Sequence, residues 1–152
     1  MAKYIVLLIL VNILMVSGCQ SGKPASGSGQ KGPEVLLNGL ALELSSEDRQ
    51  ALADSILGFM QGADEFYEAL VNDRLLESIT GSEQYLEIRF SDALVVSTRK
   101  FGEMEVSELL IPLSGKFAVG DQLTFFSGKG DLSNTPVISS SGLVQVKEMV
   151  KK

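Results

Sequence analysis

The sequence has no histidine and no tryptophan, and it has a single cysteine, Cys19. Without histidine, catalytic systems that pair serine or cysteine with histidine are excluded, and so are zinc sites of ordinary composition. A single cysteine cannot form a disulfide within the chain, so the folded part must be held together by its core. We therefore expect no metal and no cofactor, and carboxylates are the main candidates for chemistry.

Basic side chains are also few. The chain has 13 lysines and arginines against 19 aspartates and glutamates, which gives a formal net charge of −6. An acidic chain with scattered charges is poorly suited to bind nucleic acid or anionic lipid headgroups through charge. We therefore expect no nucleic-acid partner.

The long apolar run in this chain lies near the N-terminus. It extends from Tyr4 to Val16, follows Lys3 and is interrupted by Asn12. Thirteen residues of helix span about 20 Å, which is less than the roughly 30 Å of a hydrocarbon core. A basic start, a short apolar segment and small residues after it are typical of a secretory signal.

The small residues after the apolar run end in the cysteine, as Val16-Ser17-Gly18-Cys19. This tetrad resembles the lipobox of bacterial lipoproteins, where an aliphatic residue and two small residues precede an invariant cysteine. The resemblance implies that the Cys19 thiol receives a diacylglycerol, that cleavage follows Gly18, and that the new N-terminus also accepts an acyl chain such as palmitate. Several acyl chains anchor a protein durably, because each buried CH₂ contributes about 0.8 kcal/mol. The alternative is an ordinary secretory signal with a chance cysteine.

The same resemblance implies a location in the bacterial cell envelope, with the lipid bilayer bound through acylated Cys19. Gln20 follows the cysteine, where an aspartate would favour retention at the inner membrane of a Gram-negative cell. The expected location is therefore the outer membrane in a Gram-negative organism, and otherwise the outer face of the cell membrane. The sequence leaves the Gram type open.

A flexible tether is predicted between the cysteine and the folded domain. Residues 20–33 are rich in glycine, serine and proline and contain no apolar side chain larger than alanine. Such a segment has a root-mean-square reach of roughly 20 Å. The predicted organisation is a signal peptide at 1–18, a lipidated cysteine and tether at 19–33, and a single domain at 34–152.

The first half of the domain contains one clear helix pattern. Apolar residues recur at helical spacing over 46–61, Ser45 or Ser46 is placed to cap the start, and Gly62 to end it. Two interpretations of the next segment stay open. Either 66–71 is a strand followed by a short helix from Asp73 to Ile79 that Asn72 caps, or 63–79 is a single helix.

The second half of the domain resembles an antiparallel sheet. We predict strands at 85–90, 94–98, 106–113 and 123–126. A tight turn is expected at 91–93, a second turn at 100–103 and a long polar loop at 128–141. A C-terminal helix follows from Gly142, with Ser141 as its cap. The predicted fold class is a small two-layer α+β domain, in which a meander of about four strands is packed by an N-terminal and a C-terminal helix.

Three carboxylates are the candidate site residues, namely Glu103, Glu105 and Asp121. Glu103 and Glu105 would lie on one face of a strand at a spacing near 7 Å. Paired carboxylates can bind a hard cation or act as acid and base on a glycan. A solvated strand face accounts for them equally well.

We therefore expect a membrane-anchored lipoprotein whose domain binds another envelope component. The alternative is a carboxylate-dependent enzyme that acts on cell-wall glycan through Glu103, Glu105 or Asp121. A third hypothesis is a ligand-binding or inhibitor module with a pocket between sheet and helices. Phe117, Phe125 and Phe126 are the aromatic residues considered for such a pocket, and exposure of one of them would favour partner binding.

Overall fold

The computed structural model describes residues 32–68 and 70–151. The predicted signal, the lipobox with Cys19 and the tether up to residue 31 lie outside the described residues. Within the described part, the helices are α1 (Ser46–Gln61), α2 (Asp73–Ser82) and α3 (Leu143–Met149), with a 3₁₀ turn at Gly115–Phe117. The strands are β1 (Glu34–Leu37), β2 (Leu40–Ala41), β3 (Glu65–Phe66), β4 (Tyr85–Thr98), β5 (Gly102–Pro112), β6 (Leu123–Gly128) and β7 (Val137–Ser139).

The seven strands form one antiparallel sheet in the order β2-β1-β4-β5-β6-β7-β3. The α+β class is therefore confirmed, but the sheet is larger than the predicted meander of four strands. No helix in the described part is both long and apolar enough to cross a membrane.

The predicted turn at 91–93 is wrong, because β4 continues through it. The pairing of β4 with β5 shifts between Arg89, which lies opposite Glu108, and Leu94, which lies opposite Val106. Extra residues on one strand form a bulge, which bends the strand and increases its twist. The polar triplet is therefore a bend within one long hairpin, whose turn at 99–101 overlaps the second predicted turn, at 100–103.

The rest of the sheet consists of short strands, of which β1 and β2 coincide with the segment 35–42 that the sequence predicts to be extended. β1 and β2 form a hairpin through Asn38 and Gly39, whose φ angles of 52° and 76° are those of a type I′ turn. Strand β7 lies inside the predicted polar loop, and β3 has two residues where a strand of six was predicted. Segments of two or three residues are recognised by the neighbour with which they pair, which a local pattern does not contain.

Two helices begin where their capping residues predict. The Ser45 side chain accepts a hydrogen bond from the backbone N–H of Asp48 at 3.0 Å, and α1 has its predicted bounds. The Asn72 side chain accepts one from the N–H of Leu75 at 3.0 Å, so a strand and a short helix, rather than one long helix, form this segment. Helix α2 extends to Ser82, past the predicted end at Ile79.

Helix α3 begins differently from the prediction. Gly142, not Ser141, is at the N-cap position, and its φ of 118° is in the region that favours glycine. A Cβ at this position would lie 2.7–2.8 Å from side-chain atoms of Phe59 and Leu123. The close approach of the α3 start to α1 and β6 therefore requires glycine.

The sheet has two faces, and each has its own apolar core. The face under α1 and α3, called the α1 face below, has a large buried cluster that includes Ile56, Leu109 and Phe125. The opposite face, called the α2 face, has a smaller cluster of Ile79, Tyr85, Leu110, Phe117 and Phe126. The adjacent residues Phe125 and Phe126 point to opposite faces, as their positions in a strand predict, and both are fully buried.

Candidate functional site

The predicted pair of carboxylates lies on the surface of β5. Glu103 and Glu105 are exposed and stand opposite Ser97 and Val95 of β4. The carboxylate of Glu105 forms an ion pair with Lys129 at 2.8 Å. Glu103 and Glu105 therefore lie near the turn end of the β4–β5 hairpin, on an exposed part of the sheet.

Asp121 is remote from that pair and holds the start of α3. Its Oδ1 accepts a hydrogen bond from the N–H of Val144 at 2.8 Å. The backbone N–H groups of Val144, Gly142 and Leu143 lower the pKa of Asp121 below its usual value. Asp121 precedes one end of β6, whereas Glu103 and Glu105 lie beyond the other end. The structure does not bring the three candidates together.

A cluster of four charged residues, which we call the Arg89 cluster, lies on the α2 face. Glu34 on β1 and Glu108 on β5 stand directly opposite Arg89, one on each side, and Glu87 is two residues earlier on β4. The guanidinium lies 3.6 Å from Glu34 and 3.5 Å from Glu108, and it also contacts Glu87. The alternation in β4 predicts that Glu87 and Arg89 share a face, but the pairing of strands was needed to add the other two.

Glu87 is the buried member of the Arg89 cluster, with 8% of its surface exposed. In the sheet it lies between Leu36 and Leu110. Burial raises the pKa of Glu87, a hydrogen bond with Glu108 raises it further, and Arg89 opposes both effects. In glycosidases the catalytic carboxyls are separated by about 5–9.5 Å, so this arrangement is unlike theirs.

An apolar groove of about 390 Å³ lies between the turn end of the β4–β5 hairpin and strands β3 and β7. We call it the Phe66 groove, and it is lined by Phe66, Phe101, Met104, Asn134, Thr135 and Val137. The rings of Phe66 and Phe101 meet edge to face with centroids 5.8 Å apart. Phe66 is 47% exposed, so a large aromatic surface remains open to solvent.

The walls of the Phe66 groove are tied to the rest of the domain. The N–H of Arg99 donates to the carbonyl of Gln61 at 2.9 Å, and Lys100 Nζ donates to the carbonyl of Asp64 at 3.0 Å. On the other side, Asn134 Nδ2 donates to the carbonyl of Glu105 at 3.2 Å. Because these bonds link the hairpin to α1, to β3 and to the β6–β7 loop, the groove is formed in advance of any ligand.

The sequence pattern contained a weak signal for this groove. Phe66 and Tyr67 are flanked by Asp64, Glu65 and Glu68, so two aromatic side chains occur in an acidic segment. Phe101 and Met104, by contrast, come from the turn end of the β4–β5 hairpin, which lies far from Phe66 along the chain. Two further cavities, of about 390 and 300 Å³, both include Gly32, at the start of the described residues, in their walls.

No protein-family model, curated protein or solved structure matches the chain. The function is therefore inferred from the sequence and from the geometry of the domain alone.

Proposed function

We propose that the protein is a lipid-anchored lipoprotein of the bacterial envelope whose α+β domain binds another envelope component. The anchor in this proposal is Cys19, placed after Val16-Ser17-Gly18 and before the tether. The observation that carries the binding role is the Phe66 groove. A preformed apolar groove with a half-exposed aromatic residue is typical of a site that receives a side chain of a partner.

Binding is favoured over catalysis by the surroundings of the carboxylates. Glu105 is paired with Lys129, and Asp121 is hydrogen-bonded to the backbone of α3. In the Arg89 cluster, Glu87 and Glu108 contact each other and Arg89, so their carboxyls are engaged within the sheet.

The raised pKa of Glu87 is the one observation that favours the alternative, an enzyme acting on cell-wall glycan. A raised pKa keeps a carboxyl protonated and able to act as a general acid. Under this alternative, Glu87→Gln would abolish function in cells. Under the binding proposal, a cell that depends on the protein would retain function with Glu87→Gln.

A photocrosslinking experiment tests the binding proposal directly. A photoreactive phenylalanine analogue is placed at position 66 of the lipidated protein in intact cells, and the products are identified by mass spectrometry. The control carries the analogue at Leu40, which is 75% exposed on β2. We expect one or two reproducible envelope partners at position 66 that are missing at position 40. Identical products at both positions, or none at position 66, would contradict the proposal.

The anchor is tested by Cys19→Ser. We expect the variant to accumulate as unprocessed precursor and to incorporate no labelled fatty acid. Normal processing and membrane retention of this variant would remove the lipoprotein hypothesis, while the groove experiment would still stand.

A further inference from the structure

The segment that contributes Phe66 to the groove is acidic, and its strand β3 lies at an edge of the sheet. Asp64, Glu65 and Glu68 are exposed, and we call these three residues the acidic strip. The ion pairs found among the described residues involve other acids. The strip therefore presents three carboxylates to solvent beside an apolar groove.

The aromatic residues within this segment are held firmly. The N–H of Tyr67 donates to the carbonyl of Pro136 at 2.8 Å, and its ring meets that of Phe117 edge to face at 5.0 Å. Phe117 in turn packs on Phe126 in the core of the α2 face. Tyr67 remains 37% exposed and Leu70, a little further along, 84% exposed. Aromatic side chains with one side fixed in this way lose little conformational entropy when a partner covers the other.

The charges around the groove discriminate between occupants. Two basic residues, Arg99 and Lys100, lie at the hairpin turn, and Lys100 donates to the carbonyl of Asp64. The three carboxylates of the acidic strip outnumber them, so an anionic fatty acid or an anionic membrane surface would meet net repulsion. A second copy of the chain is also disfavoured, because a two-fold interface centred on the groove would bring the acidic strips of the two copies close together.

We infer that the occupant of the Phe66 groove is a basic segment of a partner protein. An apolar side chain of that segment would enter the groove, and its lysines or arginines would lie along the acidic strip and against the exposed face of Phe66. The inference rests on the proposed binding function and adds the chemistry of the partner.

The test measures binding of three labelled 12-residue peptides to the mature lipidated protein in nanodiscs of phosphatidylcholine, with empty nanodiscs subtracted. The probe alternates leucine with lysine, and the two comparison peptides alternate leucine with glutamate and serine with lysine. We expect the leucine–lysine peptide to bind about tenfold or more tightly than either comparison peptide. Its affinity should fall as salt is raised, because the charges on both sides are exposed.

Variants connect this binding to the groove. Phe66→Ser is expected to weaken binding of the leucine–lysine peptide about tenfold. The double variant Glu65→Gln, Glu68→Gln is expected to weaken it less and to flatten its salt dependence. Leu40→Ser, which also removes an exposed apolar side chain, is the matched control and should bind like the unchanged protein. Far-UV circular dichroism shows whether each variant remains folded.

The contrary outcomes are distinct. Equal binding of the leucine–glutamate peptide would overturn the inference that the partner segment is basic. Displacement of the probe by a fatty acid would indicate that the groove receives an acyl chain. Self-association that is lost in Phe66→Ser would indicate that the occupant is a second copy of the chain. If position 66 still captures a partner in cells, each of these results overturns this inference and leaves the proposed function intact. An absence of capture at position 66 overturns the proposed function itself.

Discussion

The two faces of the sheet are built from the same strands but differ in what covers them. On the α1 face, helices α1 and α3 cover the central strands, and the described side chains buried there are apolar or carry a hydroxyl, as Ser127 does, but none is charged. On the α2 face, the ten-residue helix α2 covers the part near Tyr85 and Leu110. The Arg89 cluster lies on the same face, beside this covered part and further along β4. Glu87 lies at the border, which explains both its burial and its raised pKa. Coverage by a helix, rather than position within a strand, therefore decides whether a sheet residue can be charged.

The largest expected effect comes from a pair of core truncations, Ile56→Ala on the α1 face and Ile79→Ala on the α2 face. Both side chains are fully buried. We expect the free energy of unfolding to fall by about 3–4 kcal/mol for Ile56→Ala and by about 2 kcal/mol for Ile79→Ala, since the smaller core can collapse more easily around the lost atoms. Urea titration of both variants measures the difference. Equal losses would show that the two cores are equally constrained.

Gly142→Ala tests the contact of α3 with the α1 face. The added Cβ would meet Phe59 and Leu123 in a backbone conformation that alanine rarely adopts, so we expect a loss of about 2 kcal/mol. Gly58→Ala is the matched control, because nothing lies within 4 Å of a Cβ at that exposed helical position. That variant should gain up to about 1 kcal/mol from helix propensity. A harmless Gly142→Ala would mean that α3 can shift away from α1.

Glu87→Gln tests the border between the apolar cluster under α2 and the Arg89 cluster. Its effect on the stability of the domain depends on pH. Because folding raises the pKa of Glu87, its ionised form is disfavoured in the folded state. The resulting loss of stability is absent below the ordinary glutamate pKa of about 4.3 and grows as pH rises through the higher folded value. Glu87→Gln should therefore stabilise the domain near pH 7 and change little near pH 4. Thermal unfolding at both pH values checks this, and a destabilisation at pH 7 would show that the Arg89 contact dominates.

The smallest effect is expected for the double variant Glu103→Gln, Glu105→Gln. Both side chains of the Glu105–Lys129 ion pair are exposed to solvent, so the loss of this pair should change the free energy of unfolding by less than about 1 kcal/mol. A protein that acts by binding through the Phe66 groove should also keep its function in cells. Complementation of a deletion strain measures this, and a complete loss with normal folding would favour an enzyme that uses these carboxylates.

The elements predicted well were those specified by local chemistry. Ser45 and Asn72 cap helices through bonds to residues three positions later, so their effect can be read within one turn. The alternation in β4 likewise separates Leu86 and Ile88 from Glu87, and the structure places them on opposite faces. Such patterns need no knowledge of any other part of the chain.

The candidate site was predicted less well, because the residues that form it lie far apart along the chain. Glu103 and Glu105 stood out because they are close in sequence, and the structure leaves them on an exposed surface. Members of the Arg89 cluster come from three strands, and their register brings Glu34 and Glu108 to either side of Arg89. The Phe66 groove similarly combines a two-residue strand with the end of a bent hairpin.

The sequence by itself determined where two helices begin, which residues of β4 share a face, and that a single cysteine and the absence of histidine exclude several chemistries. The lipid anchor at Cys19 stays a prediction of the same kind, made from adjacent residues. Only the tertiary structure decided that 91–93 is a bulge, that Asp121 caps α3, and that Phe66 meets Phe101 across a groove. The physical reason is that caps and periodicity act within a few residues, whereas strand register depends on partners that can lie tens of residues apart along the chain.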